Sequence, residues 1–80
     1  MATMRAKMSV SSVTKHQNCE VLKFAAVCKT GSYGEDGVDE DNTYAKYSPQ
    51  ASLEITVANP ALFDKFKPGD KFYVDFTKAD

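Results

Sequence analysis

Residues 4 to 14, MRAKMSVSSVT, place Met4, Ala6, Met8 and Val10 at alternate positions against Arg5, Lys7, Ser9 and Ser11. Successive side chains leave a strand on opposite sides, so this two-residue period predicts a strand with one buried face. The phase slips at Ser11-Ser12 before Val13, which predicts a bulge or bend there. KHQN (15–18) reads as a hairpin connection in which Asn18 can take a positive φ, with His16 in the exposed turn. A second strand over 19–29 sets Leu22, Phe24, Ala26 and Cys28 against Val21, Lys23, Ala25, Val27 and Lys29. Its mixed second face suggests partial cover on both sides.

TYAKY (43–47) predicts a short third strand that Ser48-Pro49 ends or bends. SLEITV (52–57) has the cleanest alternation in the chain, with Leu53, Ile55 and Val57 inward and Ser52, Glu54 and Thr56 outward. NPALFDKF (59–66) changes character: Asn59 is a helix cap and Pro60 suits the first helical position, with room for one or two turns. KPGD (67–70) carries Pro and Gly at the second and third positions of a type II turn. It leads into KFYVDF (71–76), with Phe72, Val74 and Phe76 toward the core and Tyr73 and Asp75 away from it.

The expected fold is therefore all-β, a small five-stranded barrel with one short helical turn before the last strand. That order fits an SH3-like barrel better than an OB-like one, whose helix is followed by two strands. A small two-sheet sandwich is the alternative. Closing the sheet would protect its edges from pairing with other chains.

Eighty residues make a single domain over 1–80, near the lower limit at which an apolar core holds a chain without staples. Most long apolar side chains are then needed inside. A hydrophobic fraction of 42% with 26% charged residues argues against disorder. No run approaches the ~18 apolar residues of a membrane span, and MATMRAKMSV lacks the apolar centre of a secretory signal. The expectation is a soluble protein with no membrane partner, in which residues 1–3 are a leader outside the fold.

Cys19 and Cys28 bracket the expected second strand. At ~3.3 Å per residue their Cα atoms would lie roughly 30 Å apart, against under ~7 Å for a disulfide, and the odd separation sends them to opposite faces. A zinc site would want about four Cys/His ligands, and His16 is the only histidine. The pair reads as buried or half-buried free thiols, consistent with a reducing cytoplasm.

Charge divides the chain. A loop over 30–42 holds Glu35, Asp36, Asp39, Glu40 and Asp41 without a base between them, while the remaining six acids face ten Lys and Arg, a balance of +4. The formal net charge of -1 thus describes an acidic loop on a mildly basic body, a statement about partners rather than fold. Calcium fits the loop poorly. Asp39, Asp41 and Thr43 have the first, third and fifth positions of a calcium loop, but the sixth is Tyr44 instead of Gly and the twelfth is Gln50 instead of Glu. Glycines 31, 34 and 37 precede neither a Lys-Ser/Thr pair nor a helix, and the carboxylates would repel phosphate.

No nucleophile and base share a motif, and Glu54 and Asp75 sit at outward strand positions, so no catalytic residue, cofactor or metal is expected. Nucleic acid would need a basic surface interleaved with aromatics. Arg5, Lys7, Lys23, Lys46, Lys65, Lys67 and Lys71 with Tyr44, Tyr47 and Tyr73 could supply one, but a pI near 5.7 has the wrong sign. The candidate partner-binding residues are Glu35, Asp36, Asp39, Glu40, Asp41, Tyr44 and Tyr47.

Over "DEDNTYAKYSPQASLEITVANPALFDKFKPGDKFYVDF" the chain resembles a group of short proteins encoded by tailed bacteriophages. The shared features are an opening strand like MRAKMSVSSV, the Asn42-Thr43-Tyr44 step, the NPAL turn and the terminal F-x-P-G-D-x-F-Y-V-D-F. These are caps, turns and core positions, and the resemblance implies a phage product without carrying over any site residue. The expected function is that of a non-enzymatic structural or accessory protein that binds other proteins, as part of the virion by capsid decoration or assembly, with a homo-oligomer compatible. The alternative is an early protein in the host cytoplasm that binds a host or defence protein or single-stranded nucleic acid.

Overall fold

A computed structural model describes residues 3–28, 37, 40–46 and 48–80. The alternating segments form β1 (Met4–Lys15), β2 (Glu20–Ala26), β3 (Ser52–Val57) and β4 (Lys71–Phe76). They make one curled antiparallel sheet in the order β3-β2-β1-β4. Long β1 is central and borders two neighbours: residues 8–15 pair with β2 and residues 4–9 with β4.

The phase slip at Ser11 is a β-bulge, with Val10 opposite Phe24 and Ser12 opposite Lys23. Ser11 Oγ donates to the Lys23 carbonyl at 3.0 Å. The bulge returns Val13 to the same face as Val10, opposite Leu22. Residues 16–19 close the hairpin, and His16 is exposed.

The turn before β4 is a single 3₁₀ turn, Pro60–Leu62, capped by Asn59, whose side chain accepts from the Ala61 amide at 3.1 Å. Gly69 has φ 95°, the left-handed value that the third position of a type II turn requires. The Asp70 amide donates back to the Lys67 carbonyl.

Two expectations change. Residues 43–46 of the expected third strand form turns, with the Ala45 amide donating to the Asn42 carbonyl at 3.3 Å; Tyr47 lies outside the described residues. The physical reason is Asn42, whose side chain is held by the backbone of Lys7 and Val27 while its carbonyl accepts the turn bond. Four strands rather than five are thus present among the described residues, with β3 and β4 at opposite margins of the sheet. The second strand ends at Ala26, leaving Cys28 exposed rather than buried or half-buried, while Cys19 is half-buried and both thiols are free.

The core is one face of this sheet: Ala6, Met8, Val10, Leu22 and Phe24 are buried. Phe24 meets Phe66 and Phe72 edge-on at centroid distances of 6.4 and 6.2 Å, a favoured aromatic geometry. The molecule is 15 Å deep in its shortest dimension, room for a sheet and a single covering layer, since packed layers sit about 10 Å apart. Part of the apolar face stays open, since Ile55 and Phe76 on it are exposed.

Candidate protein-binding groove

The organising residue at one end of the sheet is Asn42, which has no solvent exposure. Near its start β1 extends beyond β2, so its backbone needs other partners. The Lys7 amide donates to Asn42 Oδ1 at 2.8 Å, while Asn42 Nδ2 donates to the Val27 carbonyl at 2.9 Å. Thr43 continues the pattern: the Arg5 amide donates to its Oγ1 at 2.8 Å, and its own amide donates to the Arg5 carbonyl at 2.9 Å. Two side chains and one amide thus stand in for a neighbouring strand.

This bond set sends the residues around it to opposite faces. On the polar face, Asp41 reaches Lys7 at 3.5 Å. Beside that pair, Arg5 binds Asp75 through two nitrogens at 2.7 and 3.1 Å and stacks 4.5 Å from the Tyr73 ring centroid. Arg5 and Asp75 are directly opposite across strands, the position at which opposite charges stabilise a sheet. The Arg5 guanidinium, through its hydrogen bonds and its charge, holds the Asp75 carboxyl below the ordinary carboxylate range, and Asp75 raises Arg5 in return.

On the apolar face, Tyr44 packs against the core cluster. Together with Met4, Ala6, Leu53, Val74 and Phe76 it lines a groove of about 140 Å³. That is close to the ~150 Å³ of a dry cavity that accepts benzene, and well below the ~300 Å³ at which small-molecule sites begin. The groove suits one apolar side chain. Phe76 at its rim is 47% exposed and Ile55 farther along the same face is 43% exposed, so the apolar surface extends past the groove itself.

At the opposite end Phe66 packs over Phe24 and Phe72, while Ile55, opposite Leu22, stays exposed. Glu20 is buried there at the start of β2 and accepts from the Asp64 amide at 3.4 Å on each carboxylate oxygen. Asp64 has φ 63°, a conformation Asp tolerates better than most residues, and its carboxylate pairs with Lys15. Lys15, by hydrogen bond and charge, lowers the Asp64 pKa, and Asp64 raises that of Lys15. The connection carrying Phe66 is thereby tied to the β1-β2 hairpin.

Of the candidate partner-binding residues, Glu35, Asp36, Asp39 and Tyr47 lie outside the described residues. Glu40 is exposed and Asp41 half-buried. Tyr44 and Asp41 do not share a surface: the groove takes the tyrosine, and the aspartate lies against Lys7 on the other side of the sheet. Sequence reasoning assigned Met4, Leu53, Val74 and Phe76 wholly to the core. The available signal was the size of the domain, because alternation identifies the face of a residue but not whether anything covers it.

Among the described residues no cluster of His, Cys, Asp and Glu has an arrangement that could hold a metal ion, and no helix is long and apolar enough to cross a membrane. No family model, curated protein or solved structure matches the chain.

Proposed function

We propose that the protein works by binding another protein, without catalysis, and that the groove beside Phe76 receives an apolar side chain of that partner. The observation that carries this reading is the half-open apolar face: a small, preformed depression lined by aliphatic and aromatic side chains, bordered by exposed Phe76. Such buried apolar anchors in shaped pockets account for most of the energy at protein interfaces. The acidic segment around Glu40 and Asp41 supplies long-range attraction toward a basic partner, acting on association rate more than on affinity.

The resemblance to tailed-phage proteins makes a phage structural or accessory role the leading setting, with the partner a virion component. The four strands of the curled sheet suit a small barrel-like architecture, SH3-like in its connection order. Mass spectrometry of purified particles tests the setting: the protein should be present at a stoichiometry comparable to other structural components, and its absence would overturn the virion reading.

The alternative is an early protein acting in the host cytoplasm, where the same groove would take a host or defence protein. Single-stranded nucleic acid is the weaker form of that alternative. The pairing of Arg5 with Asp75 and of Lys7 with Asp41 neutralises two of the cations that a phosphate-binding face would need. A mobility shift of single-stranded DNA at about 50 mM salt, where electrostatic binding is strong, would favour it over protein binding.

A further inference from the structure

We infer that two copies of the chain pair antiparallel through β4, joining their sheets into one. This goes beyond the groove reading and needs no component of virion or host. Among the described residues β4 is an outer strand of the sheet, and its register fixes the phase of its hydrogen bonds. The Val10 amide donates to the Asp70 carbonyl, and bonded pairs recur at every second residue of an antiparallel ladder. In the observed register, Phe72, Val74 and Phe76 therefore bond to β1. The β1 side agrees, because Arg5 and Lys7 direct their amides the other way, to Thr43 and Asn42.

The backbone groups of Lys71, Tyr73 and Asp75 consequently point off the edge of the sheet. Among the described residues, none of their amides or carbonyls has a partner across that edge. A two-fold axis through Tyr73 would pair each Tyr73 with its copy by two backbone bonds. It would set Lys71 of each chain opposite Asp75 of the other and Phe72 opposite Val74. Charges of opposite sign then meet on the polar face twice, by symmetry, and apolar side chains meet on the apolar face. The charge order of KFYVDF reads as its own complement.

The other outer strand lacks this property. The Ala26 amide donates to the Ala51 carbonyl, so in the β2-β3 register the residues directed off the β3 edge are Ser52, Glu54 and Thr56. A two-fold axis through the middle of these sets Glu54 against Glu54. The chemistry therefore selects β4 as the pairing edge.

The test is sedimentation of the purified full chain over a concentration series, with amide hydrogen exchange on the same samples. The native chain should approach twice its 8.8 kDa mass as concentration rises, with slowed exchange at Lys71, Tyr73 and Asp75 but not at Ser52, Glu54 and Thr56. Lys71→Glu should weaken association about tenfold or more by making both charge pairs repulsive. Tyr73→Pro should abolish it, and proline is tolerated at an outward edge position, so its circular dichroism should stay native. A chain that is monomeric up to about 1 mM, the weak limit of specific binding, would overturn the inference. So would a dimer indifferent to both variants, or one that protects the β3 amides instead.

Discussion

The two ends of the apolar face differ in what covers them. At the end near the β1-β2 hairpin, Phe66 folds over the sheet and joins Phe24 and Phe72 in one aromatic cluster, with Phe66 and Phe72 centroids 5.1 Å apart. At the other end, Tyr44 and Ala51 reach the core but leave a groove beside Phe76. Residues of the same type, carried on the same strands with the same alternation, thus serve as core where loops cover them and as exposed surface at Phe76 and Ile55. An apolar side chain gains its stabilisation from the surface it hides from water, so the covered residues should carry most of the stability and the exposed rim of the groove should be free to carry binding.

Substitutions of covered and of exposed residues should separate accordingly, with the buried Asn42 among the covered ones. Leu22→Ala, at a site 1% exposed, should cost about 2–5 kcal/mol in denaturant unfolding, a large part of the stability of a domain this small. Asn42→Ala should cost about 2–4 kcal/mol, since it leaves the half-buried Lys7 amide and Val27 carbonyl without these partners. Asn42→Asp should be at least as harmful despite its matching shape, because it places a carboxylate against a carbonyl oxygen in a buried site. If the aspartate variant matched the native protein in stability, the role given to Asn42 would fail.

Phe66→Ala should fall below these, at about 2–3 kcal/mol, because Phe66 is half-buried and loses its two ring neighbours. Its distinguishing effect would be increased dye binding at the hairpin end as that end also opens. A variant no more exposed than the native chain would contradict the covering role.

The smallest effect expected is the pH dependence of the polar face. Asp75 titrates below the ordinary value of 3.8 because Arg5 binds its charged form. Its folded pKa is therefore depressed, and its contribution is complete above the unfolded pKa and disappears as pH falls through the folded one. Asp64 follows the same sign through Lys15. Both groups lie in water, where such pairs contribute little. The urea midpoints of native protein and Asp75→Asn should differ slightly at pH 7 and converge as pH drops below 3.8. A gap that widens in acid would reverse the assignment.

Local chemistry was legible wherever a residue decides its own conformation. Ser11 marked the bulge, Asn59 and Pro60 the 3₁₀ turn, Pro68 and Gly69 the type II turn, and the alternation of SLEITV and KFYVDF set the bounds of β3 and β4. What was hidden was non-local. TYAKY has strand composition, yet residues 43–46 turn because Asn42 is recruited by β1, 35 positions earlier in the chain. Phe76 and Leu53 alternate as core residues should, and only the arrangement of covering loops distinguishes exposed Phe76 from half-buried Phe72. The acidic run advertised a site through composition, whereas the groove is made of residue types that advertise only burial.

The division between covered and exposed apolar residues is tested most directly by Phe76→Glu, with stability and partner association measured on the same preparation. The expected result is a cost of about 1 kcal/mol or less in urea unfolding, as for a residue already half in water, together with loss of the variant from particles that incorporate the native chain. A variant that unfolds as readily as Leu22→Ala, or one that is incorporated as well as the native chain, would contradict the account.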